Sequence, residues 1–330
     1  MSSDTRLEQR QAFVRQHGNA DPDALQKAGQ DAGARCYWRL DGSDAVLMDA
    51  PPEDNDLGTW LDVHALLDAG GVRVPRILAR DLAHGFLLLE DLGRNTLLDS
   101  ISNDNADAWF EVAITQLLRI QAITPPASLP PYDAALLGRE LDLFADWFIA
   151  TELDITLERQ ALTAWQDARR FLIEQALAQP AVLVHRDFMP RNLMPIANEL
   201  AVIDFQDAVS GPMAYDPLCL FKDAFVSWPQ ARIDAWLRQY HERALSAGLA
   251  MPDWNRFMRD VDLIGVQRHL KVIGIFARLK HRDGKLHYLD DAPRFMTYLD
   301  QILPHYPELA PLQDLLQKRL WPAWRERAAT

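Results

Sequence analysis

The chain has 330 residues, 48% of them hydrophobic, and carries 47 acidic against 34 basic side chains for a formal net charge of −13. That is enough apolar material for one large domain or two lobes, each with its own core. An acidic chain without a basic tail argues against nucleic acid or anionic membrane as a main partner. The N-terminal run MSSDTRLEQRQAF has no apolar signal region, and no stretch approaches the roughly 18 uninterrupted apolar residues of a membrane span. A cytoplasmic location is therefore expected, and the chain is expected to be a monomer. Cys36 and Cys219 lie far apart and outside any CxxC pattern, so they read as reduced structural thiols, with no disulfide framework or zinc site.

In chain order, a helix is expected over residues 6–17, stopped by Gly18. Strands over 24–27 and 35–40 follow, joined by a loop holding Gly29 and Gly33. After a tight turn at Asp41 and Gly42, a strand over 45–48 ends at Met48. A helix over 55–69 repeats Leu57, Trp60, Leu61, His64 and Leu67 at helical spacing and contains no glutamate. Gly71 ends it. Two strands, 76–80 and 86–90, then lead into Glu90, Asp91, Leu92 and Gly93. Beyond Gly93 the pattern is helical over 106–120, 134–150 and 157–178. Phe110, Ala113, Ile114, Leu117, Leu137, Leu141, Phe144 and Phe148 read as core. Pro125, Pro126, Pro130 and Pro131 mark a loop. The boundary is placed at Gly93, between parts 1–93 and 94–330.

The stretch from 182 to 207 carries the chemistry. Val182, Leu183 and Val184 deliver His185, Arg186 and Asp187; four residues separate Asp187 from Asn192; a second apolar run over 200–203 delivers Asp204, Phe205 and Gln206. The layout suggests a site held by two short strands. In-line phosphoryl transfer needs a carboxylate to receive the proton of the attacking hydroxyl, with an amide oxygen and a second carboxylate to hold Mg²⁺ on the nucleotide phosphates. Asp187 is the candidate base, and Asn192 and Asp204 the candidate metal ligands. Such a hard cation takes oxygen ligands and only one or two carboxylates. The spacing is the H-R-D-x-x-x-x-N and D-F signature of kinases; its alternative is a strand and turn that happen to be polar. Gln206 stands where protein kinases have glycine. Only a short segment leads to Tyr215, Asp216 and Pro217, too short for a long activation loop, so the acceptor is expected to be a small molecule. His185 is expected to prop the loop by hydrogen bonding, Arg186 to be structural, and Asp216 to cap or tether.

With that chemistry downstream, the upstream elements read as a nucleotide site. Gly29 and Gly33 let backbone N–H groups approach phosphate, and the Glu90 carbonyl with the Leu92 N–H can pair with the adenine edge of ATP. Met48 stands where a kinase third strand ends in lysine. Either catalysis is lost, giving a nucleotide-binding pseudokinase, or another cation serves the phosphates, with Arg35, Lys27 and Arg39 the candidates. Retention of Asp187, Asn192 and Asp204 as a set favours replacement, with Arg35 taken as a nucleotide contact.

These residues resemble the aminoglycoside phosphotransferase superfamily. The match is carried by AVLMDAPP at 45–52, GVRVP at 71–75, GFLLLEDLG at 85–93, the 185–207 block and QRHLKVIGIFARL at 267–279. Within the superfamily the chain is similar to the bacterial anomeric amino-sugar kinases of cell-wall recycling. The resemblance implies an α+β, protein-kinase-like two-lobed fold, with a small N-terminal lobe built on an antiparallel sheet and a larger, mainly helical C-terminal lobe. It implies ATP and Mg²⁺, and phosphorylation of the anomeric hydroxyl of N-acetylmuramate and N-acetylglucosamine. Arg191, Asp207 and Tyr215 are candidate substrate contacts. So are Arg268 and Lys271, in a helix over 253–281 that puts Arg268, Lys271, Arg278 and Arg282 on one face. A solvated basic stripe is the alternative. If the face meets substrate, it attracts a sugar carboxylate and repels a polycationic aminoglycoside. Kinases of another small alcohol or an aminoglycoside, and a regulatory pseudokinase, stay open.

Overall fold

The computed structural model describes residues 3–18, 20–30, 35–53 and 57–328. In chain order the elements begin with α1 (Ser3–His17), β1 (Leu25–Gln30), β2 (Cys36–Leu40), β3 (Ala45–Asp49), α2 (Leu57–Ala69), β4 (Ile77–Asp81) and β5 (Phe86–Glu90). Next come α3 (Leu97–Ser100), α4 (Ala106–Ala122), α5 (Ala134–Leu143), a π-helix (Phe144–Glu152), α6 (Arg159–Leu177), β6 (Ala181–Val184), β7 (Leu193–Ile196), β8 (Glu199–Val202) and β9 (Val209–Pro212). The helices α7 (Tyr215–Phe221), α8 (Gln230–Ser246), α9 (Trp254–Asp283) and α10 (Ala292–Ile302) follow, then short helices to Ala328. No helix among the described residues is long and apolar enough to cross a membrane. Cys36 and Cys219 are free thiols.

The chain forms two compact units: Met1–Ile120 with Pro190–Asp207, and Gln121–Met189 with Ala208–Thr330. Residues 90–93, where the sequence places a lobe boundary, lie inside the first unit, because the helical segment after them packs there too. The Arg73 N–H, for example, donates to Gln116 Oε1 of α4 at 3.3 Å.

The first unit holds a five-stranded antiparallel sheet in the order β1-β2-β3-β5-β4. Side chains alternate across a strand, so Ala45 and Leu47 of β3 share one face and join Phe13, Val14, Leu40, Phe86 and Leu88 in a core cluster. The helix α1 therefore docks on the sheet, with Phe13 stacked on Phe86 at 5.5 Å and its Arg6 and Arg10 both on the buried Asp49 of β3. In α2, Val63 is buried and Leu61 only half-buried, one step round the helix from the expected stripe.

The two strands that deliver the chemistry are both present, but neither pairs with the other. β8 forms a hairpin with β7, from Leu193 opposite Val202 to Ile196 opposite Glu199. β6 pairs with β9 in the second unit. Beside β9, the expected proline loop runs almost as a strand, with the Tyr132 N–H donating to Ser210 O at 2.7 Å. Gly211 permits this, since a Cβ there would lie 2.7 Å from Tyr132 Cβ.

The second unit is otherwise helical. The long helix α9 starts where Asp253 accepts the N–H groups of Asn255 and Arg256, and ends at Gly284, whose φ of 67° suits a left-handed cap. The helix expected over 134–150 changes at Phe144 from α to π geometry, and Phe144 and Phe148 stay buried. Gly274 of α9 lies against that junction: a Cβ on it would lie 2.4 Å from the Leu143 carbonyl carbon. Gln267, Lys271 and Gly274, at i, i+4 and i+7, share the face of α9 that meets α5.

Candidate active site

In the first unit, the β7–β8 hairpin sets Asn192 and Asp204 side by side. The Ile203 N–H donates to Asn192 O at 3.1 Å, closing the ladder just before Asp204. The Asn192 amide, buried in the Pro190–Asn192 turn, then lies 3.4 Å from Asp204 Oδ2. Gln206 Nε2 donates to the other oxygen, Asp204 Oδ1, at 2.8 Å. The residue that departs from the protein-kinase pattern thus orients the carboxylate. Phe205 is the anchor, buried against Trp60 and His64 of α2. Asp204, with a left-handed φ of 65°, is turned outward and exposed. Arg191 and Asp207 are exposed on the same segment.

The nucleotide candidates of this unit are spread along the sheet. Gly29 lies in β1 opposite Tyr37, just past an irregularity in register. Gly33 falls outside the described residues, and Arg35 is half-buried immediately before β2. Met48 is fully buried, opposite Tyr37 and Leu87. Of the cations considered in its place, Arg39 is committed elsewhere: its Nη2 meets Asp91 at 2.9 Å and Gly93 O at 2.7 Å, tying β2 to the segment after β5. The Glu90 side chain is held by Arg73 at 2.6 Å and Arg76 at 3.3 Å. The Leu92 N–H donates to no backbone carbonyl among the described residues.

In the second unit, β6 delivers a tightly held turn. The N–H groups of His185 and Arg186 donate to the two oxygens of Asp216, at 2.7 and 3.0 Å. Complete burial pushes the Asp216 carboxyl up to about 6, against the opposing pull of His185 and these N–H groups. His185 Nδ1 accepts the Asp187 N–H at 3.3 Å, so the histidine props the loop and the aspartate tethers it, as the sequence suggested. Arg186 has a left-handed φ of 75°. Asp187, half-buried, follows it, and its carbonyl accepts the Met189 N–H at 2.9 Å.

The basic residues of α9 do not form one solvated stripe. Arg268 is 2% exposed and Lys271 8%, whereas Arg278 is half-buried and Arg282 exposed and paired with Asp283. Lys271 Nζ donates to Glu140 at 2.7 Å and to the Tyr215 hydroxyl at 3.1 Å. Burial works against the charge of Arg268, but Cys219, Tyr215 and Asp187 together hold its guanidinium above the ordinary arginine range. Glu140 itself was missed by sequence reasoning. Its signal was its place: at i+3 from Leu137 it breaks the apolar stripe of α5 with a charge. Burial would raise its carboxyl, but Lys271 and Arg186 outweigh that and bring it down to about 2.

A five-stranded antiparallel sheet, a mainly helical remainder and the series Asp187, Asn192 and Asp204 define a kinase-like phosphotransferase. Residues 24–257 match the model of the phosphotransferase enzyme family named APH, and the chain belongs to that family. It is 50% identical over 302 residues, 91% of this chain and 89% of the relative, to the N-acetylmuramate/N-acetylglucosamine kinase of Pseudomonas aeruginosa. It is 41% identical to the protein of the same name from Neisseria meningitidis serogroup B, covering 88% of each chain. Among solved structures it shares its fold with ADP-bound aminoglycoside phosphotransferase APH(2'')-Ib, at a TM-score of 0.60 and 15% identity over 89% of this chain and 98% of that one.

Proposed function

We propose that this enzyme transfers the γ-phosphoryl group of ATP to the anomeric hydroxyl of N-acetylmuramate and N-acetylglucosamine, giving the 1-phosphates, in the cytoplasmic recycling of cell-wall amino sugars. The observation that carries the substrate is the 41–50% identity, over about nine-tenths of the chain, to proteins named for those two sugars. Asp187 receives or orients the proton of the attacking hydroxyl. Asn192 and Asp204 would hold Mg²⁺, and the donor set fits, since an amide and a carboxylate both offer oxygen to a hard cation. When bound, the ion neutralises charge on the β and γ phosphates. In this reading Gly29, Gly33 and Arg35 meet the phosphates, while Glu90 and Leu92 pair with adenine through their backbone. Arg191 and Asp207 in the first unit, and Tyr215, Arg268 and Lys271 in the second, are the candidate sugar contacts, with Arg268 and Lys271 acting from buried positions through their charge.

The test is ATP consumption with Mg²⁺ against N-acetylmuramate, N-acetylglucosamine, glucosamine, choline and kanamycin, with Asp187→Asn as control. Turnover confined to the N-acetyl sugars is expected, with a loss of about 10²- to 10⁴-fold in the control, the usual worth of a general base. Turnover on choline or kanamycin instead would move the substrate and keep the kinase. ATP binding without turnover on any compound would support the pseudokinase reading that Met48 suggests.

A further inference from the structure

We infer that Glu140 of α5 is the positioning residue of the catalytic turn: it holds the Arg186 side chain and thereby sets where Asp187 stands. The inference rests on the reading of Asp187 as the base. Four donors converge on this one buried carboxylate. Arg186 Nη2 lies at 2.6 Å and Lys271 Nζ at 2.7 Å from Oε1. Gln267 Nε2 lies at 3.0 Å from Oε2, which also accepts the Tyr132 hydroxyl. A carboxylate has about four lone-pair sites, so Glu140 is saturated and has no freedom to turn.

The residue it grips is the one that most needs holding. Arg186 occupies the left-handed region at φ 75°, which a non-glycine residue keeps only where its surroundings over-determine it. Asp216 fixes its backbone N–H, Cys219 Sγ donates to its carbonyl at 3.4 Å, and Glu140 takes its guanidinium. Asp187 is the next residue and inherits that geometry. Arg186 and Lys271 also share a single oxygen of Glu140. Neutralising the carboxylate therefore leaves two cations facing each other with no anion between them, and that repulsion bears on the Arg186 turn.

Breaking a buried ion cluster that only stabilised the helical unit would lower stability and leave the chemical step alone, so the test separates the two. Glu140→Gln, Arg186→Met, Asp187→Asn and the double variant Glu140→Gln with Asp187→Asn are compared for kcat, for KM of ATP and N-acetylglucosamine, and for melting temperature. Arg186→Met leaves Glu140 with its three other donors, so it reads the same coupling in a protein that keeps most of the cluster. Both Glu140→Gln and Arg186→Met are expected to lower kcat about 100-fold, the scale of a displacement of about 1 Å at a reacting group, with KM for ATP within about twofold. In the Asp187→Asn background, Glu140→Gln is expected to cost less than about threefold, since residues acting as a unit are not additive. A lowered melting temperature with near-normal kcat in both single variants, or an equal loss in both backgrounds, would overturn the inference. A fully active Asp187→Asn enzyme would instead remove the base reading beneath it.

Discussion

Asn192 and Asp204 stand 12 positions apart and meet through one hairpin. Asp187 follows Arg186, whose partners, Asp216 and Glu140, lie 30 and 46 positions away. The first arrangement is local: a short turn sets the register, and closing so small a loop costs little chain entropy. Its carboxylate is exposed and carries a neighbour's amide. The second is assembled from buried charges on separate elements, each of which must be desolvated and then matched. The two segments should therefore fail differently when altered. Damage to the hairpin pair removes chemistry and spares the fold, whereas damage around Arg186 reaches both.

The largest expected effect sharpens that contrast. Asp204→Ala should lower turnover by about 10³-fold or more, because charge neutralisation on the phosphates is worth several kcal/mol. Stability should fall by only about 1–2 kcal/mol, the cost of alanine at the left-handed φ of this exposed residue. Kinetics and thermal melting on the same preparation check both, and near-normal turnover would withdraw the metal assignment.

On the buried side, removing one partner of such a cluster costs about 3–5 kcal/mol, so Glu140→Gln should be the least stable single variant. Asp216→Asn, which can accept only one of the two N–H groups well, should cost about 1–3 kcal/mol. Their pH dependences have opposite sign. Glu140 is held down to about 2 when folded, so its stabilisation is fully present above the ordinary glutamate range and is lost as pH falls toward about 2. Asp216 is raised to about 6, so its contribution is greatest below the ordinary aspartate range and is lost as pH rises through about 6. Urea melts of wild type and the two variants from pH 3 to 8 would separate them. Parallel curves would break the distinction.

An effect no larger than that at Asp216 is expected at Gly274. A methyl group there would meet the backbone at Leu143 and Phe144, so Gly274→Ala should destabilise by about 1–3 kcal/mol by forcing α9 away from α5. It should also loosen the contact between Lys271 and Glu140. An alanine variant as stable as wild type would mean that the π-helical junction yields freely.

Much of the site was legible from residue order alone. The spacing of Asp187, Asn192 and Asp204 and the apolar runs that deliver them follow from short-range rules of strand and turn, whereas Asp216, expected to cap or tether, found its partners His185 and Arg186 31 and 30 positions away. Most of the sheet was legible too: β2, β3 and β5 fall within a residue of their expected positions, because short apolar and aromatic runs bounded by turn residues advertise themselves by composition. Tertiary structure alone decided which strands pair, joining β6 to β9 and β8 to β7. It also buried Arg268 and Lys271, which helical spacing could only place on a face. It chose Glu140 as the partner of Arg186 and, 131 positions away, of Lys271. Local propensity and spacing act over a few residues, whereas the counter-ion of a buried charge is selected by packing between elements distant in the chain, and no rule of order contains that choice.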